Sequence, residues 1–378
     1  MFKIPFNKPY LTGKELGYIK DAVSRGKISG NGHYTIKCQE FFQQRYGFKK
    51  CLLTTSCTDA LEMAAILCNI QPGDEVIVPS YTFVSTANAF VLRGANIIFA
   101  DSCHDHPGID EDKIEKLISP RTKVIVPVHY AGVACDMDKI MALANKHNLY
   151  VVEDAAQAID SYYKGRPLGG IAHLACFSFH ETKNIQCGEG GMLVINDERF
   201  IRRAEIIWEK GTNRTEFSRG ESNKYEWKDI GSSFLPSEIT AAFLYAQLEN
   251  LFQIQSQRMK IWNIYNKLLS DLEIEKYIKL PFIPSYAFNN GHMFYIICNN
   301  NKERTNIIKQ LKNIGILSVF HYLCLHNSAF YLKTNKNRVL PNCKFFESNL
   351  LRLPFFYELS EYEINTICKT IIAFFKNK

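Results

Sequence analysis

No stretch of this sequence approaches the eighteen or more uninterrupted apolar residues that a membrane-spanning helix requires. The opening MFKIPFNKPY likewise offers no apolar segment of the kind that heads a secreted chain. Both absences lead to the expectation of a cytoplasmic protein that does not enter a membrane. No two cysteines stand at CxxC spacing, although there are twelve of them. They sit singly in apolar runs such as AAILCNI and LACFSFH and read as reduced small hydrophobes, so neither a disulfide framework nor a metal site is expected. The basic residues do not gather into a run either. The formal charge is +7, yet the lysines and arginines are scattered and no helix-turn-helix extension accompanies them, which argues against a nucleic-acid partner. Internal repeats and low-complexity tracts are missing too.

What is present is a chain of 378 residues, 46% hydrophobic and 22% charged, long enough for one large core and a second, smaller unit. Between about residues 50 and 200 a short β-branched run alternates with a helical stretch. The runs are EVIVPS (75–80), NIIFAD (96–101), KVIVPVHY (123–130), YVVEDAA (150–156), LACFSFH (174–180) and GMLVIND (191–197). Several are apolar at consecutive positions, as strands covered on both faces are, and the alternation predicts a mostly parallel sheet between two helical layers. The intervening TDALEMAAILCNI, DEDKIEKLIS and DMDKIMALANKHN have helical spacing. From about 198 the chain turns helical through ERFIRRAEIIWEKG and then PSEITAAFLYAQLENLFQIQSQRMKIWNIYNKLLSDL, read as one long helix joining two units. The domains are set at 1–250, a large unit with the N-terminal segment, and 251–378, a small α+β unit. The segment 212–227, TNRTEFSRGESNKYEW, has no periodicity and reads as a long functional loop.

Three places carry chemistry. In SFHETKNIQCGEGG, Lys183 lies between a buried strand and a glycine turn. A lysine there is commonly plain surface, but one set in a desolvated pocket keeps a neutral amine that attacks carbonyls. In VVEDAAQ, Asp154 ends a strand on the side where open α/β sheets bind ligands, with Gln157 on the same turn. A helix cap is the other reading of Asp154, and Glu153 beside it reads as a solvated neighbour. In TTSCTDALEMAAIL, hydroxyls crowd a helix start, which suits a phosphate as well as a plain cap. Ser178 adds a hydroxyl, and Phe83 in PSYTFVSTANA offers a flat face or a core side chain.

The order TSCT, PSYTFVSTANAF, VPVHYAG, EDAAQ, FSFHETKN, GEGG resembles the DegT/DnrJ/EryC1/StrS sugar aminotransferases. The likeness runs from IPFNKP to LPFFYELS, nearly the whole chain. EKGTNRTEF, RGESNKYEWKDIGSSFLPSE and IQPGDEVIVPSYTFVSTANAFVLRGA are similar to the branch that makes dTDP-4-amino-4,6-dideoxygalactose for enterobacterial common antigen and related surface polysaccharides. The resemblance implies the aspartate-aminotransferase fold (fold type I) with pyridoxal 5'-phosphate as cofactor. It makes Lys183 the Schiff-base residue and Asp154 the partner of the pyridine nitrogen. Gln157 falls on the ring hydroxyl and Phe83 on the ring face. Ser178, Thr58 and Asp59 surround the phosphate, Asp59 by its backbone N–H because relatives often have alanine there. It also implies a homodimer with shared sites, in which the GSSF turn near Ser233 reaches into the partner's site; many relatives carry asparagine in that turn. Trp208 stands where close relatives tend to have arginine. Arg219 in the long loop and His321, Tyr322 and His326 in FHYLCLH fall on the side of the sugar nucleotide; for the histidines, satisfaction inside the small unit is the competing reading.

The implied reaction exchanges the amino group of L-glutamate for the 4-keto oxygen of dTDP-4-keto-6-deoxyglucose. The alternatives are a 3-aminotransferase on a dTDP-3-keto-6-deoxyhexose, and a cofactor-binding regulator without turnover. A dehydratase branch of the family carries histidine at the lysine position, and Lys183 argues against it.

Overall fold

The computed structural model describes residues 2–336 and 338–376. Its centre is a seven-stranded sheet built from β1 (Lys50–Thr54), β2 (Glu75–Pro79), β3 (Asn96–Ala100), β4 (Thr122–Ile125), β5 (Tyr150–Asp154), β6 (Leu174–Ser178) and β7 (Gly191–Ile195). The spatial order is β1-β7-β6-β5-β4-β2-β3. The β2–β3, β2–β4, β4–β5 and β5–β6 pairs are parallel, while β7 runs antiparallel to both β6 and β1. All six β-branched runs are strands. The seventh, β1, comes from KCLLT, which has no β-branched residue before its last position.

Two cores form on opposite faces because successive strand residues point opposite ways. Val76 and Val78 join one core, and Ile77 between them joins the other. The helices supply the outer layers. On one face lie α1 (His33–Tyr46), the segment Met137–His147 and Glu238–Leu248. On the other lie Cys57–Leu67, Val84–Val91 and Ile201–Trp208. Numbered along the chain after α1, these are α2 (Cys57–Leu67), α3 (Val84–Val91), α4 (Met137–His147), α5 (Ile201–Trp208) and α6 (Glu238–Leu248). Trp208 at the end of α5 is fully buried, and its indole Nε1 donates to the Leu53 carbonyl at 2.6 Å.

The long helix expected from 236 onward is two helices, α6 and α7 (Leu251–Ile274). The break falls at Glu249–Asn250, where Asn250 leaves helical geometry at φ −107°, ψ 12° and turns its Nδ2 to the Ala246 carbonyl. Beyond it a second, antiparallel sheet is built from β8 (Ile278–Lys279), β9 (Tyr295–Cys298), β10 (Val319–Phe320) and β11 (Leu350–Arg352), in the order β8-β9-β11-β10. One face of this sheet, with Tyr295, Ile297 and Leu350, adds to the core of the large sheet. The other face, with Phe294, Ile296 and Leu351, forms a third core. The first residues also lie here: Ile4 bridges to Ile316 and belongs to that third core, and the Phe6 carbonyl accepts from Phe355 N–H. No helix among the described residues is long and apolar enough to cross a membrane.

Candidate active site

Lys183 owes its place to the hairpin of β6 and β7. Register runs to the pair Ser178–Gly191, and the hydrogen bonds Phe179 N–H to Gly190 and Glu181 N–H to Gly188 carry the ladder onward, leaving Lys183 on the loop at the tip. Gly188 turns that loop at φ +79°. The next residue, Asn184, is pinned from three sides: its Nδ2 donates to Gln255 Oε1 and the Asn290 carbonyl, and its Oδ1 pairs with His292 Nδ1 at 2.8 Å. Gly191 does a different job. A Cβ there would stand 2.3 Å from the Ser56 carbonyl carbon and 2.4 Å from Cys57 N, so only glycine lets β7 approach the start of α2.

That helix start and the hairpin tip share a cavity of about 430 Å³. Cys57 and Thr58 precede the first helical hydrogen bond, which runs from Ala60 N–H to Ser56, so their amides point out at the positive end of the helix. Thr58 Oγ1 shares a 2.8 Å hydrogen bond with Ser85 Oγ, and Ser178 lies on the same wall. Asp154 closes the floor at the end of β5. It is buried, accepting from Thr86 Oγ1 at 2.7 Å and from Ala156 N–H at 3.1 Å. Burial pushes its carboxyl above the usual range, and Thr86, the Ala156 amide and Lys183 pull it back. Desolvation holds the Lys183 ammonium below the ordinary lysine value, against the pull of Cys57 and Asp154. Among the described residues its Nζ has no hydrogen-bonding partner, so the amine is left available to a ligand.

The second sheet supplies the opposite wall: His292, His321, Tyr322 and Arg352. Gln157 joins the two sides, its Oε1 accepting from Ala131 N–H at 2.6 Å and its Nε2 donating to Tyr322 Oη at 3.1 Å. Tyr322 holds φ +49°, a conformation costly for a non-glycine residue and retained where the surroundings enforce it. Its ring stacks on His321 at 3.6 Å, and His321 Nδ1 pairs with Tyr130 Oη at 2.6 Å. Burial drives both His292 and His321 well below the usual imidazole value, so they are neutral near pH 7. Phe83 lines the cavity yet is 56% exposed, which sets it at the mouth.

Of the residues singled out in the sequence, Lys183, Asp154, Gln157, Thr58, Ser178, Phe83, His321 and Tyr322 therefore line one cavity. Four others lie outside it. The Asp59 amide is taken by the Ser56 Oγ cap, and its carboxylate accepts from Thr55 Oγ1, so its N–H is not free for a phosphate. Arg219 is engaged by Glu205 at 2.9 Å and Glu221 at 2.7 Å within its own subunit. His326 is buried against Ser80, its Nδ1 2.6 Å from the hydroxyl, and is a packing histidine. Ser233 is exposed in a bridge to Glu209, away from its own cavity. The loop 212–227 contains a short helix, Arg214–Ser218, closed by a bridge from Thr212 to Trp227. Glu153 is not solvated. It is fully buried, pairs with His129 at 3.0 Å and accepts from the amides of Gly169, Ile171 and Ala172.

Sequence reading passed over Ser85, Thr86, His292 and Arg352. Thr86 was detectable as a hydroxyl one turn after Phe83, and Arg352 as a lone cation in LLRLPFF. One cluster of ligand-type side chains lies elsewhere: Cys103, Asp105 and His106, whose donor atoms fall within 4.8 Å of one another. Each has a partner in the chain, Cys103 Sγ to the Ile109 carbonyl and His106 Nδ1 to Asp105.

The donor set fits pyridoxal phosphate: a helix start and hydroxyls for an anion, a buried carboxylate for a cationic ring nitrogen, and an unpaired amine for an aldehyde.

Comparison with known proteins agrees. The profile of the DegT/DnrJ/EryC1/StrS aminotransferase family matches residues 9–372. The chain is similar to the uncharacterized protein MJ1066 of Methanocaldococcus jannaschii, at 32% identity over 98% of this chain and 97% of the relative. Among solved structures it is similar to the putative sugar aminotransferase Spr1654 of Streptococcus pneumoniae in its PLP form, with 26% identity, TM-score 0.91 and 99% of each chain covered. It is also similar to DesV of S. venezuelae in complex with a ketimine intermediate, with 28% identity, TM-score 0.89 and 98% of each chain covered.

Proposed function

The chain belongs to the DegT/DnrJ/EryC1/StrS aminotransferase family, and from that premise we propose that this pyridoxal-phosphate-dependent sugar aminotransferase moves the amino group of L-glutamate to carbon 4 of dTDP-4-keto-6-deoxyglucose. The products are 2-oxoglutarate and dTDP-4-amino-4,6-dideoxygalactose, a precursor for surface polysaccharide. The observation that carries the chemistry is the desolvated, unpaired Lys183 amine in one cavity with the buried Asp154 carboxylate.

Bound in that cavity, pyridoxal phosphate supplies an aldehyde that accepts amino groups and a ring that takes up negative charge from a neighbouring carbon. The start of α2, with Thr58 and Ser178, is assigned to its phosphate, Asp154 to its ring nitrogen, Gln157 to its hydroxyl and Phe83 to its face. Thr86 and the Ala156 amide hold the Asp154 carboxylate in place. Lys183 would do the proton work: Nζ would take a proton from the donor's α-carbon and pass it to the cofactor's aldehyde-derived carbon next to it, and in the second half of the cycle take a proton from that carbon and deliver it to sugar carbon 4. The face of carbon 4 turned to Lys183 sets the configuration. Asn184, fixed by Gln255, Asn290 and His292, keeps the loop that carries Nζ from swinging.

The likeness of EKGTNRTEF and RGESNKYEW to the galacto-forming branch supports the sugar and its configuration. The same reading takes the enzyme as a homodimer. Exposed Phe83, Tyr225 and Trp227 (56%, 59% and 82% exposed) support it, and Ser233 would serve the partner's site. The test supplies dTDP-4-keto-6-deoxyglucose and, separately, its 3-keto isomer, each with L-glutamate, and identifies the products by NMR. An axial amine at carbon 4 is expected. Faster turnover of the 3-keto isomer would move the enzyme to the 3-aminotransferases, and an equatorial amine would overturn the configuration.

A further inference from the structure

We propose that Arg352 anchors a carboxylate of the amino donor, so that the side of the cavity built by the second sheet takes an amino acid and its keto acid; this rests on the transamination reading above. Arg352 ends β11, an interior strand of that sheet, in register with Tyr295 on one side and Val319 on the other. A guanidinium taken out of water is costly unless hydrogen bonds or a counter-charge replace the lost solvent. Arg258, which is buried, donates to the Gly291 and His292 carbonyls at 3.1 and 2.7 Å, and Arg121, Arg203 and Arg219 each hold a carboxylate. Arg93 and Arg304 also keep a buried Nε without a partner, but both lie outside the cavity.

Arg352 is half-buried and differs from these in its place. It lines the cavity, its Nε is buried without a hydrogen-bonding partner, and among the described residues no carboxylate pairs with it. The Phe6 ring lies 4.6 Å from its guanidinium carbon. A guanidinium resting on a ring keeps its N–H groups in its own plane, free for a planar, two-oxygen acceptor. The groups that face it are the hydroxyls of Tyr81, Tyr130 and Tyr322, together with Lys183, His292 and His321. None of these supplies an anion at neutral pH. The two carboxylates on the cavity wall are engaged elsewhere, Asp154 with Thr86 and Ala156, and Glu189 with His180 at 3.7 Å. Phosphate-binding features sit on the other sheet, at the start of α2. The unmatched charge therefore answers an anion that enters with a substrate, and the substrate that brings a carboxylate is the amino donor.

The experiment compares the wild-type holoenzyme with Arg352→Gln and Arg352→Lys in each half-reaction by single-turnover absorbance. Calorimetric titration with glutarate, a dicarboxylate with no amine, gives a readout free of turnover. Arg352→Gln is expected to weaken L-glutamate and glutarate on the order of a hundredfold, and Arg352→Lys to restore part of that loss. The half-reaction run from the amino-sugar nucleotide is expected to stay within about threefold of wild type, since the sugar brings no carboxylate. Glutamate and glutarate affinities unchanged in Arg352→Gln, or both half-reactions slowed alike, would overturn the assignment. A wild-type enzyme that accepts amino groups only from donors without a carboxylate would instead overturn the glutamate reading on which it rests.

Discussion

Replacing Thr86 by valine tests how the buried carboxylate at the floor is kept ionised. The Thr86 hydroxyl donates to Asp154 Oδ2 at 2.7 Å, and both residues are buried, so no solvent replaces a lost bond. Valine keeps the branched shape and removes the donor. A hydrogen bond to a charged group is worth about 1.5–3 kcal/mol net, and at roughly 1.4 kcal/mol per tenfold change in ionisation this corresponds to about one to two pH units. The sign follows from the form stabilised. The hydroxyl favours the charged carboxylate, so its loss raises a pKa that burial has already raised. With Asp154 at the ring nitrogen, as proposed, activity needs the ionised form and is lost first on the acid side. Stopped-flow measurement of the glutamate half-reaction against pH should show the acid limb moved upward by about one to two pH units, with most of the rate kept above it. A limb that stays in place while the rate drops equally at every pH would refute the reasoning and leave Thr86 as a packing residue.

Lys183→Ala should stop turnover in both directions, and borohydride treatment of the wild type followed by peptide mapping should find the pyridoxyl group on Lys183; an adduct on another lysine would move the site. Gly191→Ala puts a Cβ 2.3 Å from backbone that no rotamer change can relieve, so urea unfolding should show a loss of about 1–3 kcal/mol, and fluorescence titration should show weaker cofactor binding. His326→Ala removes the imidazole partner of the buried Ser80 hydroxyl, which keeps only the amide of residue 326, and should cost about 1 kcal/mol of stability with the KM for the sugar nucleotide unchanged. A raised KM would return His326 to the substrate side.

What could be read in the sequence was whatever depends on neighbours along the chain. Runs such as EVIVPS and GMLVIND declare strands buried on both faces, and those strands are present at 75–79 and 191–195. KCLLT escaped because its covering by α1 and α2 is a long-range fact that five residues do not encode. The break at Asn250 was hidden for the opposite reason: apolar spacing continues through it, and only packing separates α6 from α7. In the site, residues on strand ends and turns of the large sheet could be found from local pattern. Arg352 and His292 could not be placed, because the fold brings them to Lys183 from the other sheet. Arg219 and His326 have the right chemistry for a substrate, but Glu205, Glu221 and Ser80 already engage it.

The strap formed by the first residues bears on how the protein comes into being. Ile4 bridges to Ile316, and Phe6 lies under Arg352 and accepts from Phe355. On the ribosome this segment emerges long before its partners, and contacts so distant in sequence form late. The large sheet can be assembled while the strap is still loose. The Phe6 ring can take its place under Arg352 only after the strand that ends at Arg352 has been made, so this support of the cavity wall is added late.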